Sequence, residues 1–138
     1  MIRIKNKIEE IENYLNELSE ITPKSYEYYK KDLKTKAACE RYFEKIIEAV
    51  VDLAFSIIRY KGLKIPEEDK QAFDILSEGE IISKELAEKL KDAKGMRNLI
   101  SHEYGSVDNE IVFNSITEEL GKDVNEFIKN IKKLLRKK

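Results

Sequence analysis

The sequence predicts an all-α protein, a helical bundle of about five helices. Three observations carry that expectation. Apolar residues recur at steps of three and four along most of the chain, the period of an amphipathic helix. The residues that interrupt helices are scarce, five glycines and two prolines in 138 residues, and most fall between the periodic stretches. Ile111-Val112-Phe113 is a candidate short strand, but it has no obvious partner strand.

Each element follows from its local pattern. Ile4, Ile8, Ile11, Leu15 and Leu18 define a first amphipathic helix with a narrow seam. Thr22-Pro23 ends it, because proline cannot continue a helix and disfavours helix at the residue before it. A short piece over 25–30 follows. The longest helix spans roughly Leu33 to Tyr60, with Cys39, Phe43, Ile46, Ile47, Val50, Ala54, Ile57 and Ile58 on one face. Tyr42, Val51 and Phe55 widen that stripe, so this helix is expected at the centre, closed by Gly62. Ile65-Pro66-Glu67-Glu68 opens a short helix through Leu76, broken at Gly79. Ser83 is a suitable N-cap for the next long helix, whose buried face is Ile82, Leu86, Leu90, Ala93 and Ile100. Gly95 lies inside that helix at a cost of about 1 kcal/mol against alanine, which suggests close approach of another backbone. Gly105 is the expected C-cap. Asp108 caps a last helical region carrying Ile116, Leu120, Val124, Phe127, Ile131 and Leu135, with a break at Gly121.

Length and charge bound the rest. At 138 residues the chain is expected to form one domain over 1–138. Twenty-six basic and 27 acidic residues give a net charge of −1, unlike a protein that holds nucleic acid by its bulk field. Any RNA contact must come from a local site. No apolar run is long enough to span a bilayer, the charged start Met1-Ile2-Arg3-Ile4-Lys5 has no apolar signal core, and the one cysteine, Cys39, excludes an intrachain disulfide. A cytoplasmic location is the expectation.

The chemistry concentrates in Arg97-Asn98-Leu99-Ile100-Ser101-His102-Glu103-Tyr104. His102 is the sole histidine, a side chain that gains and loses protons near neutrality. Arg97 offers a planar cationic fork suited to phosphate oxygens. Arg97 and Tyr104 are seven apart and share a helix face, as do Asn98 and His102, four apart. A base or acid beside a cation suits RNA cleavage by the adjacent 2′-hydroxyl, which needs no metal. It does need both an acid and a base, so with one histidine per chain such a nuclease must act as a two-fold dimer. The plainer reading is that such residues cap, pair or pack.

Other features point to structure. Glu40, Glu44, Glu48 and Asp52 form a carboxylate ladder on the longest helix. A di-iron bundle needs Glu-x-x-His pairs, and Lys36, Arg41 and Lys45 can pair with the ladder, so a solvated face is expected. Asp52, beside Val51, Leu53 and Ala54, is expected in more buried surroundings. Cys39 reads as a small core residue. Tyr26, Tyr28 and Tyr29 read as packing around a turn rather than a base-stacking platform. The basic run from Lys129 to Lys138 complements the negative end of the last helix.

Arg97-Asn98, His102 and Tyr104 together resemble the signature of HEPN domains, and more narrowly that of HepT-like ribonuclease toxins. Glu40 to Ala54, Gly62 to Pro66, Ala72 to Leu76 and Val107-Asp108 are similar to that family as well, so the likeness covers nearly the whole chain. It implies a dimeric helical bundle with metal-independent endoribonuclease activity and no cofactor, part of a type II toxin–antitoxin system. It implies that Arg97 and His102 are the catalytic pair, with Asn98 as their orienting neighbour. Tyr104 would be the tyrosine that receives AMP from the antitoxin, a minimal nucleotidyltransferase of the MntA type. The alternative is a non-catalytic helical module that binds a nucleotide or a nucleotidyltransferase through the same groove.

Overall fold

A computed structural model describes residues 1–102 and 108–137, with His102 described by its backbone. Its helices are α1 (Ile2–Ile21), α2 (Tyr26–Lys31), α3 (Leu33–Lys61), α4 (Asp69–Glu78), α5 (Lys84–His102), α6 (Asn109–Asn114) and α7 (Gly121–Arg136). A π-helical stretch, Ser115–Leu120, joins α6 to α7, and there is no strand among the described residues.

The long helix α3 is the axis. Phe43, Ile46, Ile47, Val50, Leu53, Ala54, Ile57 and Ile58 are all buried, and burying each of the larger ones contributes about 1.5–3 kcal/mol. The wide stripe read from the sequence is a helix covered on several sides, by α1, α4 and α5. α1 lies antiparallel to it. Thr22 meets Cys39, Glu17 accepts from the Tyr42 hydroxyl at 2.9 Å, and Lys7 reaches Asp52 at 3.8 Å. Cys39 is a core residue, its thiol pushed up by burial.

Local chemistry sets the boundaries. The Ser25 hydroxyl accepts from the Tyr28 amide, Ser83 from Leu86, and the Asp108 carboxylate from Glu110 and Ile111, so all three cap helix starts. α4 begins later than the Pro66 signal suggests. Pro66 is buried, and the helix starts at Asp69, where Glu68 and Gln71 satisfy each other's backbone in a capping box. Gly62 closes α3 at φ +67°, with the Leu63 amide donating to the Ile58 carbonyl at 2.9 Å. α4 ends at Glu78 with Gly79 as its C-cap, the break expected there. Gly79 keeps a negative φ, and Glu80 takes the left-handed turn at φ +61° while Ile81 donates to the Leu76 carbonyl.

Ile111-Val112-Phe113 is helical, not a strand. The Asp108 cap starts the helix, and the Phe113 ring packs 5.0 Å from Tyr29 and 5.7 Å from Tyr26. Tyr26 and Tyr29 thus pack at a turn as expected, whereas Tyr28 is exposed and donates to Asp32. Nor does Gly121 break the last helix. It has φ −60° and ψ −43°, so α6, the π-helical stretch and α7 continue as one rod. That rod buries Ile116, Leu120, Val124, Phe127 and Ile131. Lys132 ties it to Glu12 of α1 at 3.0 Å, and Lys133 and Arg136 stand in its last turn. Among the described residues no helix is long and apolar enough to cross a membrane.

Candidate functional site

Helix α5 turns Lys94, Arg97, Asn98 and Ser101 toward α3 and α4. Steps of three and four place them along one side of a helix. The carboxylate ladder of α3 runs antiparallel to that side. Ser101 donates to Glu44, and Arg97 pairs with Glu48 through a terminal guanidinium nitrogen. Four residues along one helix match four residues back along the other.

The pairing extends into a network. The Asn98 side-chain oxygen accepts from Lys94 at 3.1 Å and lies 3.5 Å from an Arg97 terminal nitrogen. Lys94 also pairs with Asp69 of α4 at 3.4 Å. A chain of polar groups, Asp69–Lys94–Asn98–Arg97–Glu48, therefore crosses from α4 through α5 to α3. Arg97 is 18% exposed in its side chain, and its Nε is buried without a hydrogen-bond partner among the described residues. A guanidinium has five N–H donors, so the network fixes its plane and leaves donors for an incoming anion.

The structure thus brings Arg97 and Asn98 together. It places the His102 backbone at the last residue of α5, one turn beyond Asn98, while the His102 side chain lies outside the description. Tyr104, and with it the expected cap Gly105, lie outside the described residues. The ladder, expected as a solvated face, is in large part the other half of the site. Glu40 does pair locally with Lys36 at 3.1 Å, but Glu44 and Glu48 face α5. Asp52, expected in buried surroundings, is exposed, because its side chain turns outward to Lys7 while Val51, Leu53 and Ala54 enter the core. Gly95 does not admit a second backbone. A Cβ there would meet the Lys70 ammonium at 3.2 Å, the movable end of a long side chain. Glu48, Glu44, Lys94 and Asp69 are the residues that sequence reasoning missed as parts of the site. The available signal was the shared four-residue spacing of the ladder and of the Arg97–Ser101 side of α5.

A groove of about 740 Å³ opens beside Arg97, floored by Val51 and Phe55 of α3 and walled by α1 and α5. No group of three His, Cys, Asp or Glu residues able to hold a metal is present among the described residues.

The family model for HepT-like ribonucleases matches residues 11–131, from the middle of α1 to near the end of α7. The chain belongs to the HepT-like ribonuclease family. The mRNA nuclease HepT of Shewanella oneidensis is 27% identical, over 92% of this chain and 94% of the relative. The tRNA nuclease HepT of Aphanizomenon flos-aquae is 27% identical, over 83% and 78%. In three dimensions the chain is similar to the tri-AMPylated HEPN toxin of Shewanella oneidensis solved in complex with MNT antitoxin, at a TM-score of 0.88 and 27% identity, covering 94% of this chain and 96% of that one. The all-helical HepT-like fold therefore spans the α3–α5 pair that builds the network.

Proposed function

We propose that this chain is an endoribonuclease toxin that cuts RNA without a metal, acts as a homodimer, and is silenced by AMP transfer to Tyr104. The observation that carries the reading is Arg97, clamped between Glu48 and Asn98 five residues before His102, the sole histidine of a HepT-like ribonuclease chain. In the reaction the 2′-hydroxyl of a nucleotide attacks its own 3′-phosphorus while a base takes its proton. The 5′-oxygen of the next nucleotide leaves with a proton from an acid, and a 2′,3′-cyclic phosphate remains. His102 is assigned one of the proton roles and the His102 of a second copy the other. Arg97 supports the extra negative charge on the phosphoryl oxygens, and Asn98 keeps its plane oriented.

The partner follows from the relatives. The similar Shewanella oneidensis toxin was solved tri-AMPylated and with MNT antitoxin, which supports a minimal nucleotidyltransferase of the MntA type as the antitoxin here. A phosphate attached at Tyr104, seven residues after Arg97, would compete for the guanidinium and block the RNA path. The substrate RNA class differs between the named relatives, mRNA in one and tRNA in the other. The cytoplasm, where both kinds of RNA are at hand, is the proposed location.

Cleavage of a labelled RNA in excess EDTA tests this reading. Wild type cuts; Arg97→Ala and His102→Ala, with unchanged circular dichroism, each lose about 10²–10⁴-fold in rate. Intact RNA after incubation with wild type whose Tyr104 is unmodified by mass spectrometry would sink the nuclease reading and favour a binding module.

A further inference from the structure

The groove beside Arg97 is more basic than the chain that carries it. Its walls hold Arg3 and Lys7 of α1, Arg59 of α3, and Lys94 and Arg97 of α5, against the acidic Glu48, Asp52 and Asp69. Five positive charges thus meet three negative ones in a protein of net charge −1. The three carboxylates are each paired, with Arg97, Lys7 and Lys94 respectively. Arg3 and Arg59 are exposed and have no carboxylate partner among the described residues; Arg59 reaches only the Ser56 hydroxyl, at 3.5 Å. The surplus charge therefore sits at the end of the groove away from Glu48. Residues 48 to 59 of α3 cover about 16 Å at 1.5 Å per residue. That length accommodates about five phosphates of a stacked strand at 3.4 Å each. Between the two ends the floor is apolar and includes the half-buried ring of Phe55.

We propose that this groove is the path of the RNA strand flanking the cut, with Arg3 and Arg59 contacting its phosphates and Phe55 receiving a base. The assignment rests on the ribonuclease reading. Unpaired cations at one end, Arg97 at the other, and an aromatic face in the channel between the two are what a single strand needs from a protein that is near neutral overall. Two arginines on the ends of different helices hold the strand's backbone without reading its sequence, as phosphate contacts do.

The test measures binding of a fluorescent 2′-O-methyl RNA dodecamer, which cannot undergo 2′-hydroxyl attack, across a salt series. Arg3→Ala/Arg59→Ala lowers the salt slope by about 0.7 for each arginine, which is about fivefold in affinity each at 0.1 M salt and about 25-fold for the pair. Phe55→Leu, which keeps an apolar side chain in place, weakens binding without changing the slope. In the cleavage assay the double variant raises KM and keeps the rate at saturating RNA. Wild-type affinity and slope in the double variant overturn the assignment. So does unaltered RNA binding combined with lost capture of the nucleotidyltransferase, which would make the groove a protein-docking surface. Failure of wild type to cut RNA, with the binding loss intact, would count against the nuclease reading and leave the groove standing.

Discussion

The Arg97 guanidinium is held from two sides, by Glu48 across the helix interface and by Asn98 on its own helix. In the proposed reaction, holding this cation in place before substrate arrives removes an ordering cost, and misplacement of about 1 Å can cost about 10²-fold in rate. Glu48→Ala is therefore expected to slow RNA cleavage by about 10–10²-fold at saturating substrate, with Glu48→Gln recovering part of the loss because its amide oxygen still accepts from Arg97. Single-turnover kinetics on both variants decide; an unchanged rate in Glu48→Ala would show that Glu48 does not position Arg97. Arg97 and Asn98 were legible in the sequence as members of a motif, and Glu48 was not. Its ladder had two sets of candidate partners, lysines one turn away and groups on another helix, and sequence spacing does not rank them. The structure shows why the local set gives way: Lys45 lies 4.5 and 4.9 Å from the rings of Tyr14 and Tyr42, so a cation–π contact occupies it.

At the scale of elements, caps and periodicity were readable because both act over three or four residues. Ser83, Asp108 and Gly62 each sit where the pattern put them, and Ser25, expected as the first residue of its short helix, is that helix's N-cap. The α4–α5 turn was legible as a break at Gly79, but not the left-handed residue that follows it. Glu80 holds a left-handed backbone that costs a side-chain-bearing residue about 1–2 kcal/mol, whereas glycine adopts it freely but loses more entropy on folding. Glu80→Gly is accordingly expected to stabilise the fold by about 0.5–1 kcal/mol, raising Tm by about 2–4 °C. Gly79→Ala, at a position with ordinary φ and a Cβ 3.4 Å from both the Ile75 carbonyl and Leu63, should change Tm by less. Calorimetry of the two variants side by side checks the assignment; a Tm that rises for Gly79→Ala and falls for Glu80→Gly would reverse it.

For the whole molecule, the apolar stripes specified the bundle, because burial integrates over many residues and tolerates errors at any one. Cys39, Phe43, Ile46, Ile47, Val50, Ala54, Ile57 and Ile58, read as one face, all went to the core. Charge worked the other way. A net charge of −1 says little about any one face, and the local excess in the groove arises only when α1, α3 and α5 converge. With one histidine per chain, the proposed reaction, which needs an acid and a base, predicts that activity belongs to a pair of chains. Sedimentation of the active protein should give two copies of the 16.2 kDa chain, and specific activity should fall on dilution past the point where the pair separates. Activity per chain that is independent of concentration, from a species that sediments as one copy, would leave the second proton role to be filled within the chain.

The π-helical stretch between α6 and α7 acts as a phase adjuster. In an uninterrupted α-helix at 3.6 residues per turn, Phe113 and Phe127 would point within about 40° of one another. One wide turn between them behaves like a single inserted residue and swings the two ends apart by about 100° more. The rod can then hand Phe113 to the tyrosines of α2 and Phe127 to Phe73 of α4, whose rings are 6.2 Å apart, without a loop between the two jobs. Removing one residue from Ser115–Leu120 would straighten the helix and, in the same stroke, turn one of those aromatic contacts out of its seat.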